Sequence, residues 1–309
     1  MSGVVLVSGT ADLTELRPAI RSLAPDLPVY LHGEPGAEHA DVAACWCPAP
    51  GSLGNYPRLR LVQSIAAGID NVLRDPSRPA DVPVCRIVDA DHRQGMTEYV
   101  IWAVLHYHRH LDTVVANQAR ALWAEPPQHP ASARTVGILG LGALGAHAAS
   151  ALVGLGFKVR GWARSAKAIE GITSFAGPAE LPAFLNGVNI LVCLLPLTEE
   201  TRGLLNAGAF EHLASGAALI NCGRGEHVVL PDLLAALESG QLRGAVLDVF
   251  EHEPLPADNP LWRTPGVIIT PHMASSASVE GIARQVVANV QRLLAGETLL
   301  NQADPEAGY

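Results

Sequence analysis

Residues 135–167 read TVGILGLGALGAHAASALVGLGFKVRGWARSAK. Val136, Ile138 and Leu139 form a short apolar run that meets Gly140, Gly142 and Gly145; Ala143, Ala148, Ala149 and Ala151 then lead through Leu152 to a second run, Lys158 to Trp162. The pattern predicts strand, glycine turn, helix, strand. In such a unit the first glycine makes the tight turn, the second lets backbone approach a pyrophosphate, and the third lets the helix pack on the strand. The helix N-terminus would face the phosphates with unpaired N–H groups and the positive end of its dipole.

Thr135 to Phe157 contains no Lys, Arg, Asp or Glu and is long enough to cross a bilayer. It stands among amphipathic elements with no partner span, so the dinucleotide reading is preferred and no membrane association is expected. An NAD-specific site would place Asp or Glu at the end of the second strand. Here the chain offers Arg164, Ser165 and Lys167 instead. Two cations and a hydroxyl suit a 2′-phosphate, which a carboxylate would repel, so NADPH is the expected cofactor, with NADH as the lesser one.

At 309 residues, with 49% hydrophobic and 17% charged residues, the chain has material for two cores and little of the character of a disordered segment. Its formal charge of −9 argues against a nucleic-acid surface. The N-terminus lacks the basic and apolar regions of a secretory signal, and the five scattered cysteines read as reduced thiols, so the expected compartment is the cytoplasm. No metal site is expected. Cys45 and Cys47 have no second pair at suitable spacing, and His106 and His110, one turn apart on a helix, have no acidic third ligand nearby.

Residues 1–96 show short apolar runs at Val4–Val7, Val29–Leu31, Val42–Trp46, Leu59–Ile65 and Val82–Ile87, with segments fit for helices or loops between several of them, such as Ala11–Leu23. Strands separated by crossovers imply a parallel sheet of flavodoxin-like type. The loop Ser64-Ile65-Ala66-Ala67-Gly68-Ile69-Asp70 leaves a strand at the rim; the N–H groups around Ala67 and Gly68 either hold a carboxylate or form an ordinary turn. Met96–Arg120 reads as one long helix, its apolar residues recurring at threes and fours.

After Lys167, strands are expected at Asn189–Leu194, Ala217–Asn221, Ala245–Val249 and Val267–Thr270, with a helix at Pro231–Ser239. Together with the two strands of the glycine unit they make six, the complement of a dinucleotide-binding domain. Ser278–Ala295 is amphipathic, ends at Gly296 and is expected to return to the first lobe. The fold class is therefore α/β: two Rossmann/flavodoxin-like domains, a doubly wound NADP-binding domain (97–275) inserted in a smaller substrate domain (1–96 and 276–309).

Arg224 follows one strand (INCGRG), Glu253 the next (LDVFEHEP) and His272 the last (IITPH). In a parallel sheet those strand ends share one edge, beside the cofactor's reactive half. Such a set suits reduction of a 2-oxo acid. Arg224 would grip the carboxylate and polarise the ketone, while His272 would deliver a proton, held and kept acidic by Glu253.

The segments GLGALG, LLPLTEET, NCGRGEHVV, LDVFEHEPLP and TPHMASS occur in the order they take in the D-isomer-specific 2-hydroxyacid dehydrogenases, and the chain resembles that family along essentially its whole length. Through WARSAK, SFAGPAELPAFL and the C-terminal AGY it is most similar to the NADPH-dependent glyoxylate/hydroxypyruvate reductases of the A type. The resemblance implies His272 as acid/base, Glu253 as its partner and Arg224 as substrate binder, with Ala67 and Gly68 holding the substrate carboxylate and Trp46 lining the pocket. It places Gly140, Leu141, Gly142, Ala143 and Leu144 along the cofactor, with Arg164, Ser165, Lys167, Leu195, Pro196, Cys222, Gly223 and Asp248. It also implies a homodimer whose Trp123 reaches the partner's site. Cys222-Gly223 and Ala66 depart from the family's usual residues, which bears on substrate preference. Two other readings stay open: a reductase of bulkier 2-oxo acids such as phenylpyruvate, and a non-catalytic dinucleotide-sensing protein.

Overall fold

A computed structural model describes residues 3–305. It divides into two compact units, Met1–His92 with Ser276–Tyr309, and Arg93–Ser275. The terminal Ala307-Gly308-Tyr309 lies outside the described residues.

In the first unit, β1 (Val4–Ser8), α1 (Leu16–Leu23), β2 (Val29–Leu31), β3 (Val42–Trp46), β4 (Leu61–Ser64), α2 (Asp70–Leu73) and β5 (Val84–Cys85) follow one another. The five strands form a parallel sheet in the order β2-β1-β3-β4-β5, the flavodoxin-like order. Successive residues of β1 face opposite sides. Val4 and Leu6 join one buried cluster, Val5 and Val7 another, so both faces are apolar and the strand reads as a continuous run rather than an alternation.

The second unit begins within α3 (Ala90–His108) and continues with α4 (Leu111–Ala119), β6 (Thr135–Leu139), α5 (Ala143–Gly154), β7 (Lys158–Ala163), β8 (Ile172–Ala176), α6 (Gly177–Leu185), β9 (Ile190–Cys193), α7 (Ala207–Glu211), β10 (Ala217–Asn221), α8 (Leu230–Glu238), β11 (Leu242–Leu247) and β12 (Val267–Ile269). Its parallel sheet has the order β12-β11-β10-β9-β6-β7-β8. It grows outward from β6 in both directions, so the crevice for a ligand opens where β6 and β9 part.

The unit corrects two expectations. The sheet has seven strands, not six. The missed one, β8 (ITSFA), is a half-buried edge strand without the continuous apolar run of the others. The helix expected over Met96–Arg120 is two helices. His110 between them takes φ 56°, in the left-handed region, and Arg243 of β11 clamps the junction, donating from Nη1 to His110 Nδ1 at 2.9 Å and from Nε to Asp112 at 2.9 Å. Apolar periodicity runs through the break because no glycine or proline marks it. His106 and His110 are therefore not one turn apart on one helix.

After β12 the chain returns to the first unit as α9 (Val279–Ala295). The Ser278 hydroxyl caps it by accepting from the Gly281 N–H at 3.1 Å, and Gly296 ends it at φ 68°. Ile282, Val286 and Val290 pack in one cluster with Val4, Leu6 and Ile20. Asn289, buried, donates to Gln63 Oε1 at 2.8 Å and to the Leu300 carbonyl at 3.1 Å, and accepts from the Leu300 N–H at 2.7 Å. A buried amide so fully paired fixes the helix on β4.

Candidate functional site

The three glycines after β6 do three different things. Gly140 takes φ 100° and its α-carbon faces the backbone of Leu194, so that a Cβ would lie 2.8 Å from the Leu194 oxygen. A Cβ on Gly145 would lie 1.8 Å from the Gly140 oxygen, so only glycine lets α5 pack this close to β6. Gly142 has neither constraint: its φ is −73°, and a Cβ there would meet no protein atom within 4 Å. A glycine that neither the backbone nor the packing demands leaves room for a ligand's backbone-close approach, at the N-terminus of α5. The residues present thus fit a dinucleotide. Ala143 and Leu144 form the first turn of α5, and Leu195 and Pro196 follow β9 across the crevice. Arg164, Ser165 and Lys167 are exposed just beyond β7, next to β6 in the sheet.

The strands β10, β11 and β12 are neighbours, and Arg224, Glu253 and His272 follow their C-terminal ends. Gly225 brings the first two loops together, because a Cβ there would lie 2.0 Å from the Phe250 carbonyl carbon. Glu253 accepts from the Phe250 N–H at 2.8 Å through Oε1 and from His272 Nδ1 at 2.7 Å through Oε2. Burial pushes the Glu253 carboxyl up, but the His272 and Phe250 hydrogen bonds and the charges of His272 and Arg224 outweigh it, and the net shift is downward. The carboxylate is therefore ionised and accepts only, which places a proton on His272 Nδ1.

His272 itself sits at φ 52°, a conformation that costs a non-glycine residue on the order of 1–2 kcal/mol. Asp248, buried, holds it there. The Asp248 carbonyl accepts from the His272 N–H at 2.9 Å, while its carboxylate accepts from the N–H groups of Met273 at 2.8 Å and Ala274 at 2.9 Å and from the Thr270 hydroxyl at 2.6 Å. Since the Thr270 proton goes to Asp248, the Tyr99 hydroxyl must donate to Thr270 Oγ1, 2.6 Å away. Tyr99 and Thr270 carry no sequence signal for this role.

In the first unit, Trp46 ends β3 and is half-buried, and Ala67 and Gly68 lie in the loop after the adjacent β4. Ser64 shapes that loop, donating to the Gly68 carbonyl at 2.7 Å and accepting from the Ala66 N–H at 3.3 Å. Among the described residues the N–H groups of Ala67 and Gly68 have no acceptor. No group of three or more His, Cys, Asp or Glu among the described residues is placed to hold a metal ion, and no described helix is long and apolar enough to cross a membrane. The cysteines are free; four are buried, and burial pushes the thiols of Cys85 and Cys193 up to about 12.

His227 was not singled out by the sequence, yet it joins two of the loops. It is fully buried, and its Nδ1 accepts from the Arg224 N–H at 3.0 Å, so Nε2 carries the proton and donates to the Pro196 carbonyl at 3.2 Å. Burial, aided by the charge of Arg224, pushes its pKa down to about 4. The unfolded chain, with an ordinary value near 6.5, binds the extra proton first. The neutral ring's contribution is thus complete above pH 6.5 and is lost as pH falls toward 4, by up to about 3 kcal/mol. Urea unfolding of His227→Gln should accordingly show a shallower loss of stability between pH 6.5 and 4 than the unsubstituted protein; parallel pH profiles would refute this.

Residues 101–274 match the family model described as "D-isomer specific 2-hydroxyacid dehydrogenase, NAD binding domain". The chain is 44% identical over 282 residues to a glyoxylate/hydroxypyruvate reductase A of Serratia proteamaculans, covering 89% of this chain and 90% of that one. A D-isomer specific 2-hydroxyacid dehydrogenase from Xanthobacter autotrophicus, solved with NADPH and MES, superposes with a TM-score of 0.94 at 41% identity over 100% of this chain and 99% of that one. An NADPH-dependent glyoxylate/hydroxypyruvate reductase from Sinorhizobium meliloti, solved with NADP and sulfate, gives 0.93 at 37% identity over all of both chains. With a glycine turn shaped for a dinucleotide and this likeness along nearly its whole length, the chain belongs to the D-isomer specific 2-hydroxyacid dehydrogenase family.

Proposed function

We propose that this protein uses NADPH to reduce small 2-oxo acids, glyoxylate to glycolate and hydroxypyruvate to D-glycerate. The observation that carries the reading is the 2.7 Å pair of His272 Nδ1 and Glu253 Oε2, with the Arg224 charge acting on the same carboxylate, at the edge of a dinucleotide-binding sheet. The names of the relatives from Serratia and Sinorhizobium support the substrate class.

Bound NADPH supplies the hydride that reaches the carbonyl carbon. Arg224 binds the substrate carboxylate and draws electron density toward the ketone oxygen. With Nδ1 engaged by Glu253, which fixes the ring's orientation, His272 gives its Nε2 proton to that oxygen. The N–H groups of Ala67 and Gly68 hold the carboxylate, and Trp46 limits the size of the acid. Gly140, Gly142, Ala143, Leu144 and Gly145 receive the pyrophosphate; Arg164, Ser165 and Lys167 hold the 2′-phosphate; Leu195, Pro196, Cys222, Gly223 and Asp248 line the rest of the cofactor. Leu111, Val115, Leu122 and Trp123 are exposed, Trp123 completely, and this apolar surface is the one we assign to a homodimer.

Following NADPH consumption with glyoxylate and hydroxypyruvate tests the reading. His272→Ala should lower kcat about a hundredfold or more with little change in KM, whereas Arg224→Ala should lower kcat and also raise KM for the acid. Undiminished turnover in His272→Ala would remove its assigned role, and no turnover with any 2-oxo acid would favour a dinucleotide-sensing protein. Replacing both Arg164 and Lys167 by Ala should raise KM for NADPH about tenfold or more and leave that for NADH nearly unchanged; a wild-type preference for NADH would contradict the cofactor assignment. Sedimentation should give twice the chain mass for the wild type and the single mass for Val115→Asp; a monomeric wild type would refute the dimer.

A further inference from the structure

On the edge of the second sheet opposite to Arg224, Glu253 and His272, the strand N-termini surround a polar pocket lined by Tyr107, His108, Arg134, Asn189, Ser215 and Arg243. Arg134 immediately precedes β6, Asn189 precedes β9, Ser215 lies just before β10, and Arg243 is the second residue of β11. The pocket offers about 30 Å³ to the centre of a water-sized molecule, more than one water needs.

The charge there runs against that of the whole chain, which is −9. Arg243 is balanced: its Nε and Nη2 donate to Asp112 at 2.9 and 2.6 Å and its Nη1 to His110. Arg134, half-buried, has no carboxylate partner among the described residues. Its field is felt on both nearby imidazoles. Burial and then Arg134, with Arg109, His110 and His129 behind it, hold His108 below the ordinary histidine value. Burial, Arg243 and Arg134 do the same to His110, against the opposing pull of Asp112.

Hydrogen-bond donors converge on the same space. Asn189 accepts from the Thr135 N–H at 2.9 Å through Oδ1, which leaves its NH₂ group as the donor. Neither that group, the Arg134 guanidinium nor the Ser215 hydroxyl has a protein acceptor among the described residues. His108 is buried, and its Nδ1 too is without a partner. A half-buried cation with neutral donors around a small cavity is the composition of an anion site.

We propose that this pocket binds a small oxyanion of the phosphate class, with Arg134 as its charge partner and Asn189 and Ser215 as neutral donors. The site is separate from the reductase machinery and does not depend on it. Occupancy would stabilise the second unit by mass action, since the unfolded chain has no such site.

The test is calorimetric titration of inorganic phosphate, at constant ionic strength against chloride, into the full chain saturated with NADP⁺. The wild type and Arg164→Gln should bind one phosphate per chain, and Arg134→Gln should bind it about tenfold more weakly or worse. Ser215→Asp, which adds a carboxylate at the exposed rim, should abolish binding and decides the matter if Arg134→Gln does not fold. Undiminished affinity in Arg134→Gln or in Ser215→Asp, loss of binding in Arg164→Gln, or no binding by the wild type would each overturn the proposal. An inactive protein that still takes phosphate through Arg134 would sink the reductase reading and leave this one standing.

Discussion

A carboxylate taken out of water is tolerable only when donors saturate it, and the donors that saturate Asp248 belong to the segment that carries His272. That exchange sets the geometry of the whole strand edge. The loop after β12 cannot drift without leaving a buried charge short of donors, so His272 keeps a backbone conformation it would not choose, and its ring meets Glu253 at hydrogen-bonding distance. Tyr99, through Thr270, extends the same chain of donors back into α3. The rigidity of the acid pair is thus a property of its support rather than of the pair.

The neighbouring loops are tied in by different means. Gly225 permits backbone contact where any side chain would collide with Phe250, and His227 spans from the Arg224 N–H to the Pro196 carbonyl. A neutral imidazole can do this because it donates at one nitrogen and accepts at the other; protonated, it could only donate. The arginine loop and the loop beyond β9 therefore share one small, pH-sensitive tie.

What the residues alone reveal follows from how local each signal is. The glycine triplet, the strand runs and the caps of α9 are short-range patterns, and the structure shows a separate physical cause for each of Gly140, Gly142 and Gly145. Parallel topology then carries Arg224, Glu253 and His272 to one edge without any further information. The edge strand β8 was invisible because ITSFA is neither a continuous apolar run nor a clean alternation. The break at His110 was invisible because its cause is Arg243, far along the chain. His227 looks like an ordinary loop residue and Thr270 like the last residue of a strand until Pro196 and Asp248 are beside them. Long-range polar partnerships are the part a one-dimensional pattern does not carry.

The packing of α9 against β1 has a consequence for biosynthesis. Val4 and Leu6, made before the inserted unit, share their apolar cluster with Val286 and Val290, made after it. The five-stranded sheet cannot cover that face until the inserted unit and α9 have been made, whereas the intervening unit has all its strands in one contiguous stretch. The inserted unit is thus free to mature first, while the nascent amino-terminal strands wait with apolar surface uncovered, the interval in which a chaperone would matter most.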